Sequence, residues 1–187
     1  MAVHVREKTI DDIKTKINEM NTALNKIGYL ESALKQTGSS FEMKRFLWGE
    51  LADLYEENAM FDKAAKAMAN KAGIEIMVKD KVNSYVYAAE LFSKAGRVEE
   101  ADDMFFRATR DADPSKKASI TLAKKNIYMV SAKNLESKGK KASAIKFYEK
   151  LIKMNLDEVE KSVIKDRLIS TYKALGMFRE AKLMEGM

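Results

Sequence analysis

Few side chains in this 187-residue sequence have the chemistry that catalysis requires. His4 is the only histidine and there is no cysteine, so neither a catalytic triad nor a zinc site built from cysteine and histidine can be assembled. No Gly-x-x-x-x-Gly-Lys-Ser/Thr phosphate loop occurs, and Gly139-Lys-Lys fits a turn between helices instead. We predict that the protein is not an enzyme and holds no cofactor.

Two acidic groups are the remaining candidates for chemistry. Asp53 and Glu57 are spaced like an acid pair, but such pairs are common on solvated helices. Glu99, Glu100, Asp102 and Asp103 have the oxygen ligands that a divalent cation prefers. Carboxylates in the first turn of a helix also complement the helix dipole. We therefore predict no metal site there.

The composition predicts an all-α protein. Only one proline occurs, hydrophobic residues make up 46% of the chain and charged residues 33%, and helix-forming Ala, Leu, Lys, Glu and Met are abundant. The one alternating stretch, residues 73–78, is short and runs into a helical pattern, so we interpret it as the start of a helix. No apolar run reaches the ~18 residues of a membrane span, and residues 1–8 lack the apolar stretch of a secretory signal. We expect a cytoplasmic protein without a transmembrane segment.

A pattern of small residues, aromatic residues and glycines repeats along the chain. In the clearest copy, a small residue at Ala89 is followed by an aromatic residue three positions later, glycine seven later and alanine twelve later. Such a period indicates stacked antiparallel helix pairs, in which alanines allow close crossing and glycine ends the first helix in the left-handed conformation. The copies are Ala52, Tyr55, Ala59 and Ala64; Ala89, Phe92, Gly96 and Ala101; Ala132, Leu135, Gly139 and Ala144; and Ile169, Tyr172, Gly176 and Ala181.

Two residue types complete the pattern. The first copy has no glycine, and Asn58 is the residue there that best tolerates the left-handed conformation. Aromatic side chains fill the gaps between neighbouring pairs, so we expect them in the core. They are Trp48, Tyr55, Tyr85, Phe92, Tyr128 and Tyr172.

These residues resemble the tetratricopeptide repeat, whose consensus pattern is Trp, Leu-Gly, Tyr, Ala, Phe and Pro. The first copy matches this pattern at Trp48, Leu51-Ala52, Tyr55 and Ala64. The copy from Tyr85 to Pro114 matches it more closely. Copies spaced 37, 43 and 37 residues apart are longer than the ~34 of the consensus. In this they are more similar to the divergent repeats of soluble NSF attachment proteins. The resemblance implies a right-handed superhelical α-solenoid with a concave face that binds a peptide or a partner helix.

Start and stop signals give the boundaries. Ser39-Ser-Phe-Glu42 is typical of a capping box, and Asp113-Pro114 of a cap followed by a first-turn proline. We predict four helix pairs, near 40–72, 74–112, 114–154 and 157–186, within a repeat domain of residues 39–187. Residues 1–38 carry a heptad-like apolar stripe from Ile10 to Leu34. It predicts one long helix that either caps the first repeat or self-associates as a coiled coil.

The concave face is predicted from helical spacing about each small residue. Its side chains are mixed in charge, and Asp53 stands where repeats that bind chaperone tails have an asparagine, so we do not expect that ligand. The predicted stripe comprises Asp53 and Glu56; Asn83, Val86, Glu90 and Ser93; Asn126, Met129, Lys133 and Glu136; and Val163, Asp166, Ser170 and Lys173.

Charge and the C-terminal end offer two further surfaces. Residues 101–150 carry twelve Lys or Arg against six Asp or Glu, which accounts for the whole net charge of +6. The candidate basic patch comprises Lys116, Lys117, Lys124, Lys125, Lys140 and Lys141, which could serve an acidic partner or be only a solvated face. Leu183 and Met184 lie in a short last helix with no covering helix after it, so we expect an edge that associates with another copy or another protein. The alternative is that this chain is a piece of a longer protein.

We therefore predict a cytoplasmic adaptor that binds a segment of another protein in the concave groove. The alternative is a basic accessory protein whose Lys-rich third repeat binds nucleic acid or an acidic membrane. Nucleic acid is disfavoured because every cation of that patch is lysine rather than arginine. A structural building block that forms homo-oligomers is the third alternative.

Overall fold

The computed structural model describes residues 5–36 and 40–186, and this part of the chain is entirely helical apart from its turns and links. It contains ten helices and no strand, so the all-α prediction is confirmed. The helices are α1 (Ile10–Glu19), α2 (Ala23–Leu34), α3 (Phe41–Glu57), α4 (Phe61–Gly73), α5 (Val78–Lys94), α6 (Val98–Asp111), α7 (Pro114–Ser137), α8 (Lys141–Leu151), α9 (Glu158–Ala174) and α10 (Phe178–Glu185).

Helices α3 to α10 form four hairpins that share one register. Each first helix ends five residues after its small residue, and each second helix begins nine residues after it. Apart from the turn residue Ala59, the alanines of the pattern are fully buried where the two helices cross, from Ala52 and Ala64 in the first hairpin to Ala181 in the last. A larger side chain at these positions would push the helix axes apart.

The turns of the hairpins share a left-handed residue at the same position. Gly96, Gly139 and Gly176 have φ values of 77°, 73° and 73°, as the pattern predicts. In the first turn the left-handed residue is Ala59, with φ of 55°, whereas Asn58 has φ of −95°. The assignment of Asn58 to this conformation was therefore wrong, because the register of the hairpin places Ala59 at the position that glycine occupies elsewhere.

Each turn also closes with the same backbone hydrogen bond. The N–H of the residue after the left-handed position donates to the carbonyl of the residue three after the small one, as in a Schellman motif. These bonds run from Met60 to Tyr55, Arg97 to Phe92, Lys140 to Leu135 and Met177 to Tyr172, at 2.8, 2.8, 2.8 and 2.9 Å. The repeat read from side chains is thus also a repeat of backbone geometry.

The hairpins stack in chain order. From α2 onwards, the main contacts join each helix to the next one along the chain, and α5 additionally contacts α7. This is the contact pattern of an α-solenoid. Of the predicted core aromatics, Trp48 is half-buried and the other five are buried. None of the helices in the described residues combines the length and the apolar composition that crossing a bilayer requires.

The hydroxyls of five tyrosines connect neighbouring helices across the stack. Each donates a hydrogen bond to a carboxylate on a neighbouring helix, and burial together with the carboxylate raises the pKa of Tyr148 to about 12. These five hydroxyls therefore keep a partner, which avoids the cost of an unsatisfied polar group. The pairs are Tyr55 with Glu31, Tyr87 with Glu56, Tyr128 with Asp102, Tyr148 with Glu136 and Tyr172 with Glu149.

The N-terminal segment differs from the single long helix that was predicted. Met20 is extended, and the Thr22 side chain accepts the N–H of Asn25 and starts a second helix. Two helices, α1 and α2, therefore replace one, and α2 packs on α3. The apolar stripe of these two helices packs largely within this chain, because Ile13, Ile17 and Ile27 are buried.

Two predicted starts are also corrected. The cap of α3 is Ser40, whose hydroxyl accepts the N–H of Met43 at 3.1 Å; Ser39 lies outside the described residues. Helix α5 begins at Val78 instead of near residue 74, because residues 74–77 form a non-helical link. Asp113 and Pro114 hold the predicted cap and first-turn positions of α7.

Helix α7 is longer than its counterparts and accounts for the irregular spacing of the repeats. Helices α3, α5 and α9 have 17 residues and α7 has 24. Because all four end at the same position of the repeat, the seven extra residues lie at the N-terminus of α7. This extension, residues 114–120, stands beside the N-terminal half of α5.

Candidate functional site

A groove lies between α5 and α7, the first helices of the second and third hairpins. It consists of a cavity of about 500 Å³ at the N-terminal ends of the two helices and one of about 450 Å³ towards their C-terminal ends. Glu90 lines both cavities, so the two are halves of one groove. The extension of α7 forms part of its wall through Lys116, Ser119 and Ile120.

The floor of this groove is apolar. On α5 it is formed by Val82 and Val86, which lie one turn apart. On α7 the apolar residues recur at spacings of three and four, which places them along one side of the helix. They are Ile120, Ala123, Ile127 and Val130. Val130 is 57% exposed, so this apolar surface is accessible from the solvent.

Polar side chains lie along the groove without forming a reactive arrangement. Asn83 lines the first cavity, and Asn126, Asn134, Ser93 and Ser131 line the second. Amides and hydroxyls of this kind donate and accept hydrogen bonds but do not exchange protons near neutral pH. These side chains can form hydrogen bonds with a ligand in the groove.

The charged groups at its centre are paired with one another across two hairpins. Lys94 contacts Glu90 at 2.9 Å and Glu56, from α3, at 2.8 Å, and Tyr87 also donates to Glu56. Burial by itself would raise the pKa of Glu56, but the hydrogen bonds from Lys94 and Tyr87 outweigh it and hold that pKa below its usual value. Glu56 therefore acts as a junction between the first and second hairpins.

The predicted stripe residues are distributed unevenly with respect to the groove. All four on α5, namely Asn83, Val86, Glu90 and Ser93, line it, and Asn126 does so from α7. The other residues of α7 lie outside the lining. Met129 is half-buried against the core, Lys133 is exposed, and Glu136 accepts a hydrogen bond from Tyr148 at 3.0 Å.

The stripe residues of α3 and α9 are also outside the lining of the two cavities. Asp53 and Asp166 are both exposed, on helices that flank the α5 and α7 pair from opposite ends of the stack. Lys173 forms an ion pair with Glu185 at 2.7 Å. The structure thus brings together the stripe of the second hairpin with part of the third, and no single surface contains the whole predicted set.

The basic patch is partly neutralised within the protein. Lys124 pairs with Asp102 and Lys125 with Glu160, each at 2.5 Å. Burial would raise the pKa of Asp102, but hydrogen bonds from Lys124, Lys150 and Tyr128 outweigh it and lower that pKa. Of the remaining patch residues, Lys116, Lys117 and Lys140 are exposed and Lys141 is half-buried.

The acidic cluster and the C-terminal edge complete the predicted sites. Within residues 5–36 and 40–186, no group of three or more acidic or histidine side chains is arranged to hold a metal ion, and His4 lies outside these residues. At the C-terminal edge, Leu183 is 65% exposed. Met184 is half-buried and packs against the core, which differs from the exposure expected of it.

Sequence reasoning missed several groove residues. The predicted stripe on α7 begins at Asn126, six positions before Ala132. Ile120 lies further towards the N-terminus, in the extension of α7. A signal was nevertheless present, because Ile120, Ala123, Ile127 and Val130 follow heptad spacing along α7. Tyr87 and the lysines at the ends of the groove gave no such signal.

Comparisons with known proteins add little to this geometry. No family model matches the chain, and no curated protein matches it. Among solved structures, the chain is similar to BtubC (BKLC) from P. vanneervenii, with 17% identity and a TM-score of 0.44 over 94% of this chain and 76% of BtubC.

Proposed function

We propose that this protein is an adaptor that binds an apolar-faced segment of another protein in the groove between α5 and α7. The observation that carries the proposal is the pair of cavities, about 500 and 450 Å³, which meet at Glu90 over a floor of aliphatic side chains. Removing that floor from water is the main favourable term available to a ligand here. The proposed role is binding, since the polar lining consists of amides, hydroxyls, lysines and two carboxylates, of which Glu90 is paired with Lys94.

We also propose that the four hairpins are divergent units of the tetratricopeptide type. The support is internal to the chain. The left-handed turn residue, the closing hydrogen bond and the buried alanine in the first turn of the second helix recur at the same positions in all four hairpins. In such an array the first helices of the hairpins form the inner face, and α5 and α7 are both first helices.

Site-specific photo-crosslinking tests the groove. A photoreactive amino acid in place of Asn126, which is exposed and lines the groove, should crosslink a partner in cells, and the same amino acid in place of Ser162, exposed on α9, should not. Adding Val86→Gln and Val130→Gln should abolish the crosslink, because amides on the floor lose the gain from apolar burial.

The matched control carries Val159→Gln and Val163→Gln. These valines are 75% and 46% exposed on α9, outside the groove, so the crosslink at position 126 should persist. Equal crosslinking from positions 126 and 162, or equal loss in both pairs of variants, would contradict the proposed site.

A further inference from the structure

Four lysines stand in pairs at the two ends of the groove. Lys79, at the start of α5, and Lys116, in the extension of α7, line the N-terminal cavity. Lys138, at the end of α7, and Lys140, just before α8, line the other one. A rise of about 1.5 Å per residue places Lys116 and Lys138 about 33 Å apart along α7. The groove is therefore apolar along its floor and positive at both ends.

These lysines differ from the lysine at the centre of the groove. All four are exposed, and within residues 5–36 and 40–186 none of them forms an ion pair, whereas Lys94 is paired with both Glu56 and Glu90. The remaining acid of the lining, Asp113, occupies the cap position of α7 without a side-chain capping hydrogen bond, and the two lysines at that end exceed it by one charge. Positive charge at the two ends is thus available to a ligand, and charge in the middle is not.

The apolar floor has the spacing of a surface that receives a helix. Ile120, Ala123, Ile127 and Val130 follow one another at three and four residues along α7, and Val78, Val82 and Val86 at four residues along α5. Two such rows with a gap between them match the apolar stripe of a third helix, whose side chains repeat at the same spacing. An extended peptide, with a period of two, would match neither row.

We propose that the groove binds an amphipathic helix of a partner protein that carries acidic side chains near both of its ends. The apolar face of this helix lies between α5 and α7, and its acidic ends lie beside Lys79 and Lys116 and beside Lys138 and Lys140. A helix of about 22 residues spans the distance of about 33 Å. This inference rests on the proposed function and specifies the partner.

Nucleic acid is the other anionic ligand that a lysine-bearing groove could take, and the lining argues against it. No arginine lies among the described residues of the lining, and a phosphate backbone needs cations along its whole track, not only at two ends. The central lysine is already paired, and the floor between the ends is aliphatic.

Three synthetic 22-residue peptides test the proposal by fluorescence anisotropy. They share one leucine stripe of helical spacing and differ only at their ends, which carry glutamate, glutamine or lysine. The glutamate peptide should bind about tenfold more tightly than the glutamine peptide, as several exposed ion pairs together allow. Added salt should reduce this difference, and the lysine peptide should bind most weakly.

Charge reversal provides the matched variants. The double variant Lys116→Glu and Lys138→Glu should lose the preference for the glutamate peptide and gain one for the lysine peptide. The control, Lys117→Glu and Lys133→Glu, changes the same net charge on exposed residues of α7 outside the lining, and should keep the original preference.

The outcomes separate this inference from the proposed function. Equal binding of all three peptides overturns the inference and leaves groove binding intact. If no peptide binds, the inference is overturned, and crosslinking from position 126 still decides the proposed function independently. A single-stranded oligonucleotide that displaces the glutamate peptide and no longer binds the Lys116→Glu and Lys138→Glu variant would overturn it in favour of nucleic acid.

Discussion

Ala59 differs from the residue that the other hairpins have at the same position, and this difference has a cost in conformational free energy. It has φ of 55°, where the other three hairpins have glycine. An alanine in the left-handed conformation costs roughly 1 kcal/mol because its Cβ approaches the backbone carbonyl. Asparagine tolerates this conformation better, which is why Asn58 was the sequence-based choice, but the hairpin register decides which residue bears the strain.

We expect Ala59→Gly to raise the free energy of unfolding by about 0.5 to 1 kcal/mol, since glycine adopts the left-handed conformation at no steric cost and only its greater freedom in the unfolded chain opposes the gain. Urea denaturation monitored by circular dichroism measures it. The control is Ala118→Gly at an exposed position inside α7, which should lower stability by about 1 kcal/mol. Destabilisation by Ala59→Gly would contradict the strain argument.

Other single residues could be predicted well because their roles are local. The glycines at 96, 139 and 176, the Asp113-Pro114 start of α7 and the buried alanines each follow from nearby sequence. The partners of the lysines could not be predicted in this way. Lys125 pairs with Glu160, 35 positions away, and Lys150 with Asp102, 48 positions away. Only the stacking of hairpins brings such residues together. Part of the positive charge of the basic patch is therefore paired with carboxylates that are distant in the sequence.

At the scale of elements, Asp102 connects three helices. From α6 it accepts hydrogen bonds from Tyr128 of α7 at 2.7 Å and from Lys150 of α8 at 2.6 Å, and it pairs with Lys124 of α7 at 2.5 Å. Tyr128 also packs edge-on against Phe105 and Phe147, with ring centroids 5.7 and 5.2 Å apart. The second and third hairpins are thus joined by a charged and an aromatic contact at the same place.

Asp102→Asn should lower the free energy of unfolding by about 2 kcal/mol at neutral pH, because two lysines lose their charged partner. The pKa of Asp102 is lower in the folded protein than its usual value. The unfolded chain therefore takes up the proton first as the pH falls below about 4, and the contribution of the carboxylate is lost over that range.

The measurement is urea denaturation of both proteins at pH 7 and at pH 3. The difference between them should shrink at the lower pH. Asp103→Asn is the control, because Asp103 is exposed and pairs only with Arg107 along one helix, so it should change stability by less than about 1 kcal/mol. A difference for Asp102→Asn that stays constant between the two pH values would contradict the assignment.

The N-terminal segment shows that apolar periodicity alone does not determine where a helix ends. Its apolar spacing is continuous from Ile10 to Leu34, and it predicted one helix. Thr22 nevertheless provides a cap that competes with continuation of the helix, and the chain bends between Glu19 and Ala23. The spacing identified some of the buried side chains, but it also included Leu24, which is 68% exposed. It contained no information on the break, since a cap within a helical pattern reads as an ordinary polar residue.

At the scale of the whole molecule, each hairpin is stabilised by its contacts with the hairpins beside it, as in other repeat proteins. Within the described residues, the central hairpins contact helices on both sides, whereas the fourth, made of α9 and the eight-residue α10, contacts mainly α8 outside its own pair. The backbone of the last hairpin should therefore open more readily than that of the centre.

Hydrogen exchange measured by mass spectrometry checks this expectation. Amides of α9 and α10 should exchange at least tenfold faster than those of α4 and α5 under native conditions, since local opening of an end breaks fewer contacts. Uniform protection along the chain would show instead that the array unfolds as one cooperative unit.

The seven-residue extension of α7 has a consequence for how this groove can vary. Seven residues are almost two full turns, with a drift of only about 20°. Inserting or deleting one such block at the start of α7 therefore leaves every later side chain of that helix in nearly the same orientation. The length of the groove can change in steps of seven residues, while the residues that line its C-terminal half keep their orientation. Groove length and ligand selectivity can therefore evolve separately.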